Sequence, residues 1–207
     1  MELSRALLEQ AFGMLGDLAA KEGKVIDIAV YGGSCLLLAS NIRDVTRDVD
    51  VVFLSERSRG YELADIVGRR LRLPDDWLNQ AVKTVAPPKG NPQPTLFPFG
   101  EYPGDGQIGL RVYLPTPEYM LAMKLLANRR DDPEGLARDH RDLHLLMRVT
   151  GLTTKAQLAE LVKVCYPSVP GISARIDAKI DDIVRGYEDA DEPGSPAWYA
   201  GRGHPTL

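Results

Sequence analysis

The chain has 207 residues, of which 44% are hydrophobic, enough to bury a core in one domain or in one domain with a helical appendage. Its net charge is −4, which argues weakly against nucleic-acid binding over the whole surface, but residues 177–192 alone hold seven acids and two bases, so the remainder is near neutral and has room for local basic patches. No apolar run approaches the roughly 18 residues of a membrane helix, and the opening MELSRALLEQ mixes charge among its apolar positions, so neither a membrane contact nor a signal peptide is expected and the protein is expected in the cytoplasm.

Taken in chain order, Leu7, Leu8, Ala11, Phe12, Leu15, Leu18 and Ala19 recur at helical spacing, predicting an amphipathic helix over 4–22 that Gly23 ends. KVIDIAVY (24–31) is β-branched and alternating, a strand. Gly32-Gly33 turns the chain, Ser34 is placed to cap a short helix CLLLAS, and VDVVFL (49–54) reads as a second strand. A helix is expected over 61–72 and another over PDDWLNQAVKTV, with Pro74 in its first turn. Residues 86–107 are rich in Pro and Gly and read as a long loop with a short strand near Leu96-Phe97. IGLRVYL (108–114) is a third strand. Four helices follow, at about 117–129, 134–149, 153–165 and 173–188, before a Gly/Pro-rich tail.

Strands in the first half and helices in the second predict an α+β fold: a small mixed sheet flanked by helices over 1–116, a helical bundle over 117–190 and a disordered tail over 191–207.

The stretch from Tyr31 to Leu54 carries the chemistry. A glycine pair lets backbone approach a ligand without Cβ interference. The start of the helix that follows offers N–H groups and a positive dipole end to phosphate. Asp48 and Asp50, two apart at the start of a strand, share one face. Two carboxylates beside a phosphate cradle suit Mg2+, which favours carboxylates plus substrate phosphate oxygens.

The combination of a strand, Gly32-Gly33-Ser34, a short helix, Arg43, Thr46 and Asp48-Val49-Asp50 resembles the signature of the nucleotidyltransferase superfamily with the polymerase-β-like fold, with a slightly longer spacer than usual. The glycine pair, Arg43 and Thr46 look like those of the AbiEii/MenT-type toxins of bacterial toxin–antitoxin systems. Later runs resemble the same branch: Leu121-Ala122-Met123-Lys124-Leu125-Leu126-Ala127 and Arg138-Asp139-His140-Arg141-Asp142-Leu143. The resemblance implies transfer of a nucleoside monophosphate from an NTP, with Mg2+ or Mn2+, to an acceptor, for this branch the tRNA 3′ end. It also implies a cognate antitoxin as partner. It assigns Asp48 and Asp50 to metal and catalysis, and Lys124 to NTP phosphate. Asp139 joins the catalytic set by orienting the lysine or helping to activate the acceptor hydroxyl. Gly32, Gly33, Ser34, Arg43, Thr46 and Asp142 go to substrate binding. Two other readings stay open: nucleotide transfer to a protein, and a non-catalytic binding or antitoxin-like relative.

One departure stands out. Many polymerase-β-like enzymes carry a third carboxylate on a later strand, and IGLRVYL has none; Glu101 and Asp105 precede it in the expected loop. Arg57, Arg59, Arg69, Arg70 and Arg72 form one basic cluster, and Arg129, Arg130, Arg138 and Arg141 another. His140 and His144 lie one helical turn apart without the glutamate of a zinc helix. Cys35 and Cys165, each among apolar neighbours, read as reduced core residues.

Overall fold

A computed structural model describes residues 2–40, 43–84, 91–104, 106–127, 133–169 and 174–188. The chain is α+β and divides into two compact units, residues 1–83 with 95–115 and residues 84–94 with 116–207. The expected tail over 191–207 lies outside the described residues.

The first unit begins with β1 (Leu3–Ser4) and α1 (Arg5–Lys21), whose N-cap Ser4 accepts from the Leu7 N–H at 3.3 Å. Gly23, at φ +67°, ends it as expected. There follow β2 (Ile26–Tyr31), α2 (Gly32–Ala39), β3 (Val45–Thr46), β4 (Val49–Phe53), α3 (Arg57–Leu71), β5 (Leu78–Asn79), β6 (Leu96–Pro103) and β7 (Ile108–Pro115). The five-stranded sheet runs β5-β4-β2-β7-β6, with β2 antiparallel to β4 and parallel to β7, so it is mixed. A separate antiparallel pair joins β1 to β3, setting Leu3 opposite Thr46.

Burial follows the strand period. Ile26, Ile28, Val30, Val49, Val51, Leu110, Val112 and Leu114 are buried, whereas Asp27, Asp50, Arg111 and Tyr113 are only partly so. α1 packs on β6 and β7 with Leu8, Ala11, Phe12, Leu15 and Ala19 buried, and against α3. The approach is close enough that a Cβ on Gly16 would meet the Tyr102 carbonyl and one on Gly109 the α1 backbone, so glycine is required on both sides.

Three expectations are corrected. The segment PDDWLNQAVKTV is not a helix: it turns at Pro74–Trp77, adds β5 to the sheet edge and ends in a 3-10 turn over Ala81–Thr84. Tertiary bonding overrides the helical pattern there. Trp77 is buried, donates its indole N–H to the Ala64 carbonyl at 3.0 Å, and accepts from the Val49 N–H at 2.6 Å. Residues 96–103 form a full strand where a long loop with only a short strand near Leu96-Phe97 was expected. The prolines that argued against it are tolerated because β6 is an edge strand, with register shifts at Pro98/Gly100 and Tyr102/Pro103. Finally, Ser34 does not cap α2. That helix starts at Gly32 behind Tyr31, and the Ser34 hydroxyl donates back to the Tyr31 carbonyl at 2.9 Å.

The second unit holds α4 (Pro117–Leu126), α5 (Pro133–Thr150), α6 (Lys155–Cys165) and α7 (Ala174–Glu188). Thr116 caps α4 by accepting from the Tyr119 N–H at 3.1 Å, ahead of a proline in the first turn. Thr154 and Gln157 form a capping box at α6. α4 packs against α5, α6 and α7, and every residue from Tyr119 to Leu125 is buried. Leu143, Leu146, Met147, Leu158, Ile180 and Ile183 complete this core. No described helix is long and apolar enough to cross a membrane.

Candidate functional site

The antiparallel pairing of β2 with β4 places Asp50 directly opposite Tyr31, the last residue before the glycine pair. Gly32 takes φ +62°, a left-handed conformation that lets the chain leave the strand and enter α2 at once. A Cβ at Gly32 would collide with the Asp50 carboxylate, so that carboxylate lies against bare backbone. Gly33 is covered in the same manner by Arg43 and Thr46: a Cβ there would stand 2.7 Å from Arg43 Nη2 and 3.1 Å from Thr46 Oγ1. Arg43 Nε donates to the Val45 carbonyl at 3.0 Å, and Thr46 Oγ1 donates to the Asp48 carbonyl at 3.1 Å. Gly32, Gly33, Arg43, Thr46, Asp48 and Asp50 are thus one cluster at the end of β2 and the start of β4. Ser34 adjoins them but is fully buried, with its hydroxyl on the Tyr31 carbonyl.

The residue that sequence reasoning missed is Asn79. Its β5 position pairs with Asp50, and its Nδ2 donates to Asp48 Oδ2 at 3.2 Å. The apolar pair Trp77-Leu78 ahead of Asn79 was too short a run to signal a strand against the helical pattern around it.

Among the described residues no group of three or more His, Cys, Asp or Glu is placed to hold a metal. Glu101 pairs in register with Arg111, which in turn pairs with Asp27, and its Oε1 lies 3.7 Å from Arg111 Nε. Asp27 is four positions along β2 from Tyr31, about 13 Å at strand rise, so Glu101 adds nothing to the Asp48–Asp50 pair. Asp105 lies outside the described residues. Among the described residues Asp48 and Asp50 have no third carboxylate beside them, so a hard cation bound there would need further oxygen ligands from outside the chain.

In the helical unit, Lys124 Nζ donates to Asp139 Oδ1 at 3.0 Å and Asp142 Oδ2 at 2.8 Å. The i, i+3 spacing on α5 brings both carboxylates to one side. All three residues are buried, at 6%, 4% and 8% exposure, so the ammonium is held by two charge-assisted bonds away from bulk water. Lys179 of α7, also unforeseen, donates to the Lys124 and Ala127 carbonyls at 2.7 and 2.9 Å and closes the C-terminus of α4.

The basic clusters are partly spent internally. Arg59 is bonded to Glu22 and Glu62, which raises the pKa of its guanidinium and lowers that of the Glu22 carboxyl, and Arg69 pairs with Asp65. Arg57, Arg70 and Arg72 are exposed on and beside α3, and Arg141 is exposed on α5. Arg129 and Arg130 lie outside the described residues. His144 Nε2 lies 3.1 Å from the Ile183 carbonyl and His140 Nε2 lies 3.6 Å from Asp182, so both histidines face α7. Cys35 is buried; Cys165 is half-buried, and its burial pushes the thiol pKa up. The chain matches no protein-family model, no curated protein and no solved structure to a significant degree.

Proposed function

We propose that this protein is a metal-dependent nucleotidyltransferase that transfers a nucleoside monophosphate from an NTP to the 3′ end of a tRNA. In this reading it is the toxin of a bacterial toxin–antitoxin pair and is neutralised by a cognate antitoxin protein. The observation that carries the enzymatic part is the Asp50 carboxylate lying on Gly32, in register with Tyr31, with Asp48 two residues away. Bare backbone and two carboxylates in one place are what a triphosphate with its cation requires. The tRNA and toxin parts rest on the resemblance in the glycine pair, Arg43, Thr46 and the Lys124, Asp139 and Asp142 pattern.

In this reading Asp48 and Asp50 hold Mg2+, which supplies charge neutralisation at the phosphates when bound. Gly32 and Gly33 keep side chains out of the triphosphate's path. The resemblance assigns Lys124 to NTP phosphate; within its own unit the ammonium is held by Asp139 and Asp142. The acceptor hydroxyl forms a bond to the α-phosphorus as the bond to the β-phosphate oxygen breaks. Pyrophosphate leaves and the hydroxyl proton passes to solvent. Positioning and charge stabilisation supply the catalysis.

The test is incubation of purified protein with total tRNA, Mg2+ and each α-labelled NTP in turn, beside Asp48→Ala. Label on tRNA that drops at least about 100-fold in the variant, the scale of a lost electrostatic group, is expected. Equal labelling by the variant refutes the assignment of Asp48, and label on protein moves the acceptor to a polypeptide.

A further inference from the structure

The short strand β5 does more than finish the sheet edge. It is two residues long and lies at the edge, held to β4: by the Val49 N–H to Trp77 carbonyl bond, and by Leu78, buried and paired with Val49. What it delivers is one side chain. Asn79 is half-buried beside Asp48 and opposite Asp50. Its amide orientation is determined, because Oδ1 accepts from the Ala81 backbone N–H at 2.8 Å, which can only donate. The NH2 end must therefore face Asp48 Oδ2, at 3.2 Å, with the Asp76 carbonyl at 3.4 Å as its other acceptor.

We infer that Asn79 is a positioning residue: it holds one oxygen of the Asp48 carboxylate and so aims the other at the cation of the proposed nucleotidyltransferase site. This inference rests on the functional reading above. A neutral donor suits the place. It restrains a carboxylate rotamer through a bond to a charged acceptor without adding a third negative charge. Outer partners of this kind orient metal ligands, and their loss commonly weakens metal affinity by about 10-fold or more.

The experiment measures binding of MnCl2 alone to the intact chain by the loss of the free-ion EPR signal, with thermal unfolding of every variant recorded alongside. Four proteins are compared: wild type, Asp48→Ala, Asn79→Ala and Asn79→Asp. Asn79→Ala removes the donor and is expected to weaken Mn2+ binding by about 10-fold. Asn79→Asp keeps an acceptor for Ala81 N–H but loses the donor to Asp48, and serves as the control for the turn: its unfolding midpoint is expected to stay near that of wild type. Weaker Mn2+ binding by Asn79→Ala at a temperature where the variant remains folded is not produced by a residue that only holds the turn. Wild-type binding in Asn79→Ala overturns the inference. Wild-type binding in Asp48→Ala instead overturns the metal site itself, so the two failures are distinguishable.

Discussion

Replacing Lys124 with methionine removes a charge from the middle of the helical unit while keeping the length and apolar stem of the side chain. Asp139 and Asp142 then remain, 4% and 8% exposed, with their shared cation gone. At about 3 Å and an effective dielectric of 20, each attraction lost is roughly 5 kcal/mol before desolvation is counted. Much of that was already offset by burying the ammonium, so the net cost of breaking such a buried group is about 3–5 kcal/mol. With an m-value of about 2 kcal/mol/M for urea, the unfolding midpoint should fall by roughly 1.5–2.5 M. The assay is urea unfolding followed by far-UV circular dichroism, with hydrogen exchange on peptides from α4 and α5 to place the loss in this unit. A matched triple variant, Lys124→Met with Asp139→Leu and Asp142→Leu, should recover most of the lost stability, because no uncompensated charge remains. A midpoint within about 0.3 M of wild type for the single variant, equivalent to well under 1 kcal/mol, would refute the claim that this cluster is a buried, mutually dependent unit.

Gly32→Ala should cost about 1–2 kcal/mol from its left-handed conformation alone. The collision with Asp50 should in addition weaken Mn2+ binding, which the same EPR titration reads. Lys179→Met removes two bonds to the last carbonyls of α4 and should lower stability by about 1–2 kcal/mol, measured by thermal unfolding. The Glu22 carboxyl is held below its ordinary range chiefly by its hydrogen bond to Arg59. Its contribution to stability is therefore present above the unfolded glutamate pKa and is lost as pH falls through the lower folded value. Arg59→Leu should raise the Glu22 titration midpoint seen by NMR, and an unchanged midpoint would contradict that pairing.

Local patterns were sufficient for much of this molecule. The apolar stripe of α1, the alternation of β2 and β7, Thr116 with Pro117 ahead of α4, and Gly23 after α1 are all encoded within a few residues, since helix periodicity, caps and left-handed stops depend on near neighbours. So was the cluster of Gly32, Gly33, Arg43, Thr46, Asp48 and Asp50, because two adjacent strands and their connection carry it. Contacts between distant segments were not legible. Trp77 turned a helix-like run into β5 because an indole 13 residues from Ala64 found its carbonyl, and a backbone carbonyl found Val49. Pro98 and Pro103 sit in a strand because β6 is at the edge, a property of sheet order rather than of β6 itself. Asn79 beside Asp48, 31 residues apart, and Lys179 on the end of α4, 55 residues from Lys124, follow from the same cause. Near neighbours decide most elements; the packed chain decides the rest, β5 and β6 among them, and which side chains from separate elements meet.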